Sequence, residues 1–185
     1  APMPAHAALA LVTRAASFAC EAHTTHRRKG DAAEPYVNHL AEVAMLLAMA
    51  GADSNLVAAG YLHDTIEDTT VTYDELTIEF GRDIADLVRA VTDDNRLGSV
   101  ERKALQIERA AALPVRAQML RVCDKISNLR ALRSSPPSGW SAQRKLAYCQ
   151  WAKQVVEQCR AVSPQLVKIF DESMAAGMKA IETQV

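Results

Sequence analysis

The stretch Tyr61-Leu62-His63-Asp64-Thr65-Ile66-Glu67-Asp68-Thr69 places two pairs of ionisable side chains in a mainly apolar region of the chain. Its first pair, His63-Asp64, offers a nitrogen ligand and an anionic oxygen ligand to a divalent metal ion. The second pair, Glu67-Asp68, follows four residues later, and this spacing predicts both pairs on one face of a helix. A solvated acidic helix end is the alternative interpretation, and the surrounding sequence has to distinguish the two.

The apolar composition predicts an all-α protein. Hydrophobic residues make up 49% of the 185 residues and aromatic residues only 5%, with alanine and leucine at most apolar positions. Few β-branched runs and short Pro- or Gly-marked connections favour a compact helical bundle. The length fits one domain, so we expect residues 1–185 to form it.

Apolar periodicity and boundary residues locate the helices. Gly51 is expected to end the second helix, Ser54 to cap the third, and Thr72 with Glu75 to form a capping box at the fourth. The predicted helices span residues 5–24, 38–50, 54–67, a short segment after Thr72, 82–91, 100–112, 114–134, 140–161 and 164–180.

The cysteines and the absence of apolar spans indicate the compartment. The four cysteines show no C-x-x-C spacing, and each lies in a helical apolar context, so we expect small buried side chains rather than disulfides. No apolar run reaches membrane-spanning length, and the N-terminus lacks a signal-peptide pattern. These features predict a cytoplasmic protein that does not contact a membrane.

Charge is strongly divided along the chain. Residues 51–99 hold eleven acidic and three basic side chains, whereas residues 100–145 hold ten basic and three acidic ones. This division suits a metal-dependent enzyme that acts on a phosphorylated substrate, although two oppositely charged surfaces without a ligand would give the same pattern. A nucleic-acid partner is not favoured, since Trp140 is the only aromatic residue in the basic segment and no recognition motif is present.

Further candidate ligands lie outside the central stretch. His39 opens the predicted second helix directly after Asn38, where its side chain can point into a cleft. Asp124 is flanked by the apolar stripe that includes Leu120 and Cys123, which places it near a buried edge. Spacing alone does not connect these residues to His63-Asp64.

The order His…His-Asp…Asp resembles the HD superfamily of metal-dependent phosphohydrolases, which are helical. Further motifs resemble the hydrolase domain of RelA/SpoT homologues, most closely the small stand-alone members from metazoa and bacteria. Several motifs in order are far more specific than one His-Asp dipeptide. They are Arg28-Lys29, Pro35-Tyr36-Val37-Asn38-His39, Thr92-Asp93-Asp94, Glu101-Arg102-Lys103, Asp124-Lys125-Ile126-Ser127-Asn128-Leu129-Arg130, Gly139-Trp140-Ser141 and Tyr148-Cys149-Gln150-Trp151-Ala152.

This resemblance implies hydrolysis of the alarmone (p)ppGpp at its 3′ side, which yields GDP or GTP and pyrophosphate in the stringent response. It implies a single Mn²⁺ held by His39, His63, Asp64 and Asp124. Two carboxylates would balance the divalent charge, and two imidazoles suit a borderline transition metal, although the same ligands tolerate Fe²⁺ and Co²⁺.

The resemblance also implies roles for other side chains. Glu67 and Asp68 would orient or deprotonate the attacking water. The expected nucleotide-binding residues are Arg28, Lys29, Asn128 and, with weaker motif support, Arg144 and Tyr148.

Two departures from the long family members concern substrate preference. Ala131 stands where many of them carry a threonine, and the loop 30–34 lacks a Ser-Gly pair.

Removal of the 2′-phosphate of NADPH and a non-catalytic alarmone-binding role remain alternative functions. The small-molecule nucleotide is the expected partner, and a homo-oligomer is possible.

Overall fold

The computed structural model describes residues 1–159 and 162–184. Within these ranges the chain is all-α, as predicted, and its β pairing is limited to two isolated bridges in the loops. Its helices are α1 (Ala5–Ala22), α2 (Val37–Met49), α3 (Ser54–Leu62), α4 (Thr65–Asp68), α5 (Tyr73–Phe80), α6 (Arg82–Ala90), α7 (Ser99–Ala110), α8 (Val115–Ser134), α9 (Ala142–Glu157) and α10 (Pro164–Glu182).

Helix α8 is the central element of the core. Ten of its 20 residues are buried, and it packs against α2, α3, α6, α9 and α10. Leu120, Ile126 and Leu129 on this helix are fully buried, and burial of each such side chain stabilises the fold by roughly 1.5–3 kcal/mol. The middle of α8, which carries Asp124, is therefore held firmly in place.

The helix predicted over 54–67 is interrupted at the His63-Asp64 pair. Helix α3 ends at Leu62, Asp64 has φ −100° and ψ 1°, and α4 begins at Thr65. The Leu62 carbonyl accepts a hydrogen bond from Thr65 Oγ1 at 2.7 Å, and side-chain bonds to helix carbonyls of this kind compete with continuation of the helix. The two ionisable pairs therefore do not share one continuous helix face, and that prediction was wrong.

Helix boundaries follow local capping chemistry. The predicted capping box is confirmed, since Thr72 and Glu75 bond reciprocally at the start of α5. Helix α2 ends before Gly51, which has φ +84°. The cap of α3 is Asp53 rather than Ser54, because its carboxylate accepts a hydrogen bond from Leu56 N at 3.0 Å.

Other boundaries and the cysteines differ in part from expectation. Helix α9 begins at Ala142 rather than 140, since Ser141 caps it, and ends at Glu157. The predicted end of this helix at residues 160 and 161 lies outside the described residues. Three cysteines are buried as expected, but Cys20 is exposed, because it lies on the outer face of α1. None of the helices described here has both the length and the apolar character of a membrane span.

Gly60 allows α2 and α3 to pack closely. A Cβ atom at Gly60 would lie 3.0 Å from Leu47 Cδ1 and 3.1 Å from Ala44 Cα. We expect Gly60→Ala to lower the free energy of unfolding by about 1–3 kcal/mol, because the added methyl group overpacks this crossing. Urea denaturation measures the change.

Gly177 provides a matched control for Gly60. It is buried inside α10, but a Cβ atom there would meet only Leu129 O, at 3.9 Å. Gly177→Ala should raise the free energy of unfolding by up to about 1 kcal/mol, because alanine favours the helix more than glycine. Equal losses in both variants would contradict the packing explanation.

Candidate metal centre

Four side chains from three segments converge at one point. His39 lies in the first turn of α2, His63 and Asp64 at the interruption between α3 and α4, and Asp124 in the middle of α8. One ligand atom from each residue lies within 4.8 Å of those from the others. The structure thus brings together the two imidazoles and two carboxylates singled out in the sequence.

The orientation of His63 is fixed by the end of α3. Its Nδ1 lies 2.7 Å from the Gly60 carbonyl oxygen, which can only accept, so Nδ1 carries the proton. In the neutral ring the lone pair of Nε2 then faces Asp64 Oδ2 at 3.2 Å and Asp124 Oδ1 at 3.4 Å. Lone pairs on a nitrogen and two anionic oxygens repel one another unless a proton or a cation lies between them.

His39 is held in the same manner by α8. Its Nδ1 lies 2.8 Å from Ser127 Oγ, and its Nε2 lies 3.1 Å from Asp124 Oδ1 and 3.7 Å from Asp64 Oδ2. A partner of this type on the second ring nitrogen orients metal-ligating histidines in proteins. Both imidazoles therefore direct Nε2 toward the same pair of carboxylates.

Electrostatics at this point favour a cation. Burial lowers the pKa of His63, but Asp64 and Asp124 outweigh it and hold that pKa well above its usual value. Burial raises the pKa of Asp124, yet the charge of Lys125 and the hydrogen bond from His39 hold it well below the usual range. The carboxylates thus remain anionic, and the set of two nitrogens and two oxygens fits a divalent transition metal ion.

Two further side chains orient the carboxylates. Tyr36 donates a 2.6 Å hydrogen bond from its hydroxyl to Asp64 Oδ2. The Lys125 ammonium donates to Asp124 Oδ2 at 3.2 Å and lies 4.1 Å from the centroid of the Trp151 ring. Lys125 is therefore a salt-bridge partner of Asp124. Tyr36 belongs to the motif Pro35-Tyr36-Val37-Asn38-His39, but no sequence pattern indicates which residue its hydroxyl contacts.

Glu67 and Asp68 form a second acidic group with Asp64. One oxygen of each of the three carboxylates lies within 4.8 Å of the others. Burial raises the pKa of Glu67 to about 7, against the lowering effect of a hydrogen bond from the Asp93 backbone N–H. Burial and the charge of Asp64 raise the pKa of Asp68 to about 6. Both carboxyls can therefore exchange a proton near neutral pH, and a bound cation would lower both pKa values.

Two cavities adjoin each other beside the candidate metal ligands. The first, of about 200 Å³, contains the cluster of His39, His63, Asp64 and Asp124 together with Glu67 and Asp68. The second, of about 240 Å³, adjoins it and is lined by Arg27, Arg28, Lys29, Ala131 and Trp140, among others. Both are bordered by Tyr36, Asn128 and Tyr148. An acidic cavity thus lies next to a basic cavity.

The predicted nucleotide-binding residues lie mostly at these cavities. Arg28 donates from Nη2 to Asn128 Oδ1 at 3.2 Å, and its guanidinium lies 5.8 Å from the Tyr36 ring centroid. The Tyr148 hydroxyl is buried, and no described residue gives it a hydrogen bond of good geometry. Arg144 is exposed and lies 4.4 Å over the Trp140 ring, outside the residues that line either cavity.

Comparison with known proteins gives consistent matches. The HD domain family model matches residues 15–150. The guanosine-3′,5′-bis(diphosphate) 3′-pyrophosphohydrolase of Xenopus tropicalis is 42% identical over 83% of this chain and 87% of its own. The Homo sapiens protein of the same description is 40% identical over 85% and 89%.

Solved structures agree with these relatives. A metazoan orthologue of SpoT that hydrolyses ppGpp superposes with a TM-score of 0.87 at 37% identity, over 95% of this chain and 97% of the other. A protein from Listeria monocytogenes EGD-e gives a TM-score of 0.64 at 30% identity, over 78% of this chain and 98% of its own.

The hydroxyl of Ser127 offers a test of the metal centre. We expect Ser127→Ala to weaken divalent metal binding by about 10- to 100-fold, because His39 loses the partner that fixes its orientation. Titration with Co²⁺, followed by its visible absorption, measures the affinity. Ser134→Ala on the same helix is the control, since Ser134 is exposed and its hydroxyl donates to the Arg130 carbonyl of its own helix. Equal affinities in the two variants would show that Ser127 does not support a metal ligand.

Proposed function

The chain belongs to the HD-domain family, and on this premise we propose that it is a Mn²⁺-dependent (p)ppGpp 3′-pyrophosphohydrolase. Its relatives are named as guanosine-3′,5′-bis(diphosphate) 3′-pyrophosphohydrolases, and they match this chain at about 40% identity over most of their length. This membership confirms the family resemblance found in the sequence. We also propose that residues 1–185 form a single domain of this type. The four free thiols support a reducing, cytoplasmic location.

The observation that carries the proposal is the junction of the acidic and basic cavities. A guanosine carrying two diphosphates needs cations along its phosphates and a Lewis acid at the bond to be cleaved. Arg28 and Lys29 line the basic cavity, while the four candidate metal ligands lie in the acidic one. Tyr36 borders both, so a nucleotide in the basic cavity can extend a phosphate toward the metal centre.

In the proposed reaction, water attacks the phosphorus bonded to the ribose 3′ oxygen. The bond between the phosphorus and the 3′ oxygen breaks. The oxygen of the attacking water becomes part of the released pyrophosphate, and the 3′ oxygen of the ribose gains a proton. His39, His63, Asp64 and Asp124 would hold the Mn²⁺, which when bound lowers the pKa of water and draws charge from the phosphoryl group.

Protein side chains would supply the remaining steps. Glu67 and Asp68 each place a carboxylate oxygen within 4.8 Å of one from the metal ligand Asp64, and in their ionised form they can accept the proton of the attacking water. Arg28 can pair with phosphate oxygens through its forked donors or stack on the guanine. Asn128, already bonded to Arg28, would contact the nucleotide beside it.

The first test is turnover by the metal-stripped protein. We expect release of GDP and pyrophosphate from ppGpp only after Mn²⁺ is added, measured by anion-exchange chromatography. Parallel reactions with Fe²⁺ and Co²⁺ compare the cations, and pppGpp and NADPH compare the substrates. Turnover of NADPH without turnover of ppGpp would overturn the proposal, and so would ppGpp hydrolysis at full rate with no metal.

Glu67 tests whether the site is catalytic or only binds nucleotide. We expect Glu67→Gln to lower kcat by about 100- to 10,000-fold, because the amide cannot accept the proton of water. Nucleotide affinity, measured by calorimetry, should remain within a few fold. Glu79→Gln, on the exposed face of α5, is the control and should retain full activity. Unchanged turnover in Glu67→Gln would remove this residue from the mechanism.

A further inference from the structure

Glu67 is held by a neighbouring loop rather than by its own helix. Helix α4 has only four residues and no side-chain cap at its start, so it cannot fix a side chain by itself. The Asp93 backbone N–H donates to Glu67 Oε1 at 2.7 Å, and Asn95 Nδ2 donates to the Glu67 carbonyl at 2.6 Å. The loop 92–98 thus contacts Glu67 at both its side chain and its backbone.

The loop is in turn anchored through the carboxylate of Asp93. Gln106 of α7 donates to Asp93 Oδ2 at 2.6 Å, and Arg121 of α8 donates to Asp93 Oδ1 at 3.3 Å. The ion pair is largely withdrawn from solvent, with 11% of the Arg121 side chain and 17% of the Asp93 side chain exposed. Because water screens it little, this pair can fix the position of the loop.

We propose that Asp93 is a positioning residue for the reaction and acts through Glu67. Its carboxylate fixes the loop to α7 and α8, and its own N–H then holds Glu67 Oε1. Among the described residues no other group bonds to the Glu67 carboxylate, so Oε2 stays available to the attacking water. This inference rests on the proposed function, since it assigns Glu67 the role of accepting the proton of water.

Asp94 provides a matched control in the same loop. Among the described residues its carboxylate accepts hydrogen bonds from Arg96 alone, through the backbone N–H at 2.9 Å and the guanidinium at 2.8 Å. Neither residue lines the cavity that holds the metal ligands. Removal of the Asp94 charge therefore alters the loop without altering its attachment to α7 and α8.

The experiment is a double-mutant cycle with ppGpp as substrate. We expect Asp93→Ala to lower kcat by about 10- to 100-fold with KM changed less than about threefold, because a displaced catalytic group loses the reactive geometry while substrate contacts remain. In the Glu67→Gln background the same substitution should change kcat by less than about twofold. Asp93→Asn should recover part of the loss, since it still accepts from Gln106, and Asp94→Asn should match the unmodified protein.

The outcomes separate the two proposals. Loss of kcat by the same factor in both backgrounds overturns the inference, because Asp93 would then act independently of Glu67. An unchanged kcat in Asp93→Ala, or an equal loss in Asp94→Asn, overturns it as well. These results leave the proposed function intact, whereas no ppGpp turnover by the unmodified protein overturns both. Melting temperatures confirm that each variant is folded.

Discussion

Two part-buried carboxylates and two buried imidazoles place their ligand atoms within 4.8 Å of one another, and the packing around them has to hold this arrangement together. Such a cluster is stable only if a proton or a metal ion balances its charge and rigid elements oppose its repulsion. The ligand atoms come from α2, the end of α3 and the centre of α8, which are among the most buried parts of the fold. A second ring of contacts, from Gly60, Ser127, Tyr36 and Lys125, fixes the direction of each ligand atom.

Much of the fold could be predicted because helix periodicity and caps are local properties. The Thr72 capping box needs only four residues of sequence, and it was found as expected. The interruption at His63-Asp64 could not be predicted from periodicity, since it depends on side chains that bond to helix carbonyls. Ser54 and Asp53 are both good caps, and only the backbone geometry selects Asp53.

The residues of the candidate site could be predicted from the sequence better than the contacts between them. The family resemblance implied the set of side chains that converge on the acidic cavity, whereas the spacing of those residues in the sequence did not connect them. Arg144, predicted to bind the nucleotide, lies over the ring of Trp140, which lines the basic cavity, but does not line either cavity itself. A position on a helix does not fix where a long side chain points, so its role stays a prediction. The contact between Asp93 and Glu67 links residues 26 positions apart, and no local pattern encodes it.

Gly60 affects both the packing of α2 on α3 and the orientation of a candidate metal ligand. Its missing side chain lets α2 and α3 approach, and its carbonyl sets the tautomer of His63. Any shift of this residue is therefore transmitted to both the core and the metal centre. Thermal stability and cation affinity are therefore coupled at this crossing, because a backbone shift that relieves the packing of α2 on α3 also moves the carbonyl that orients His63.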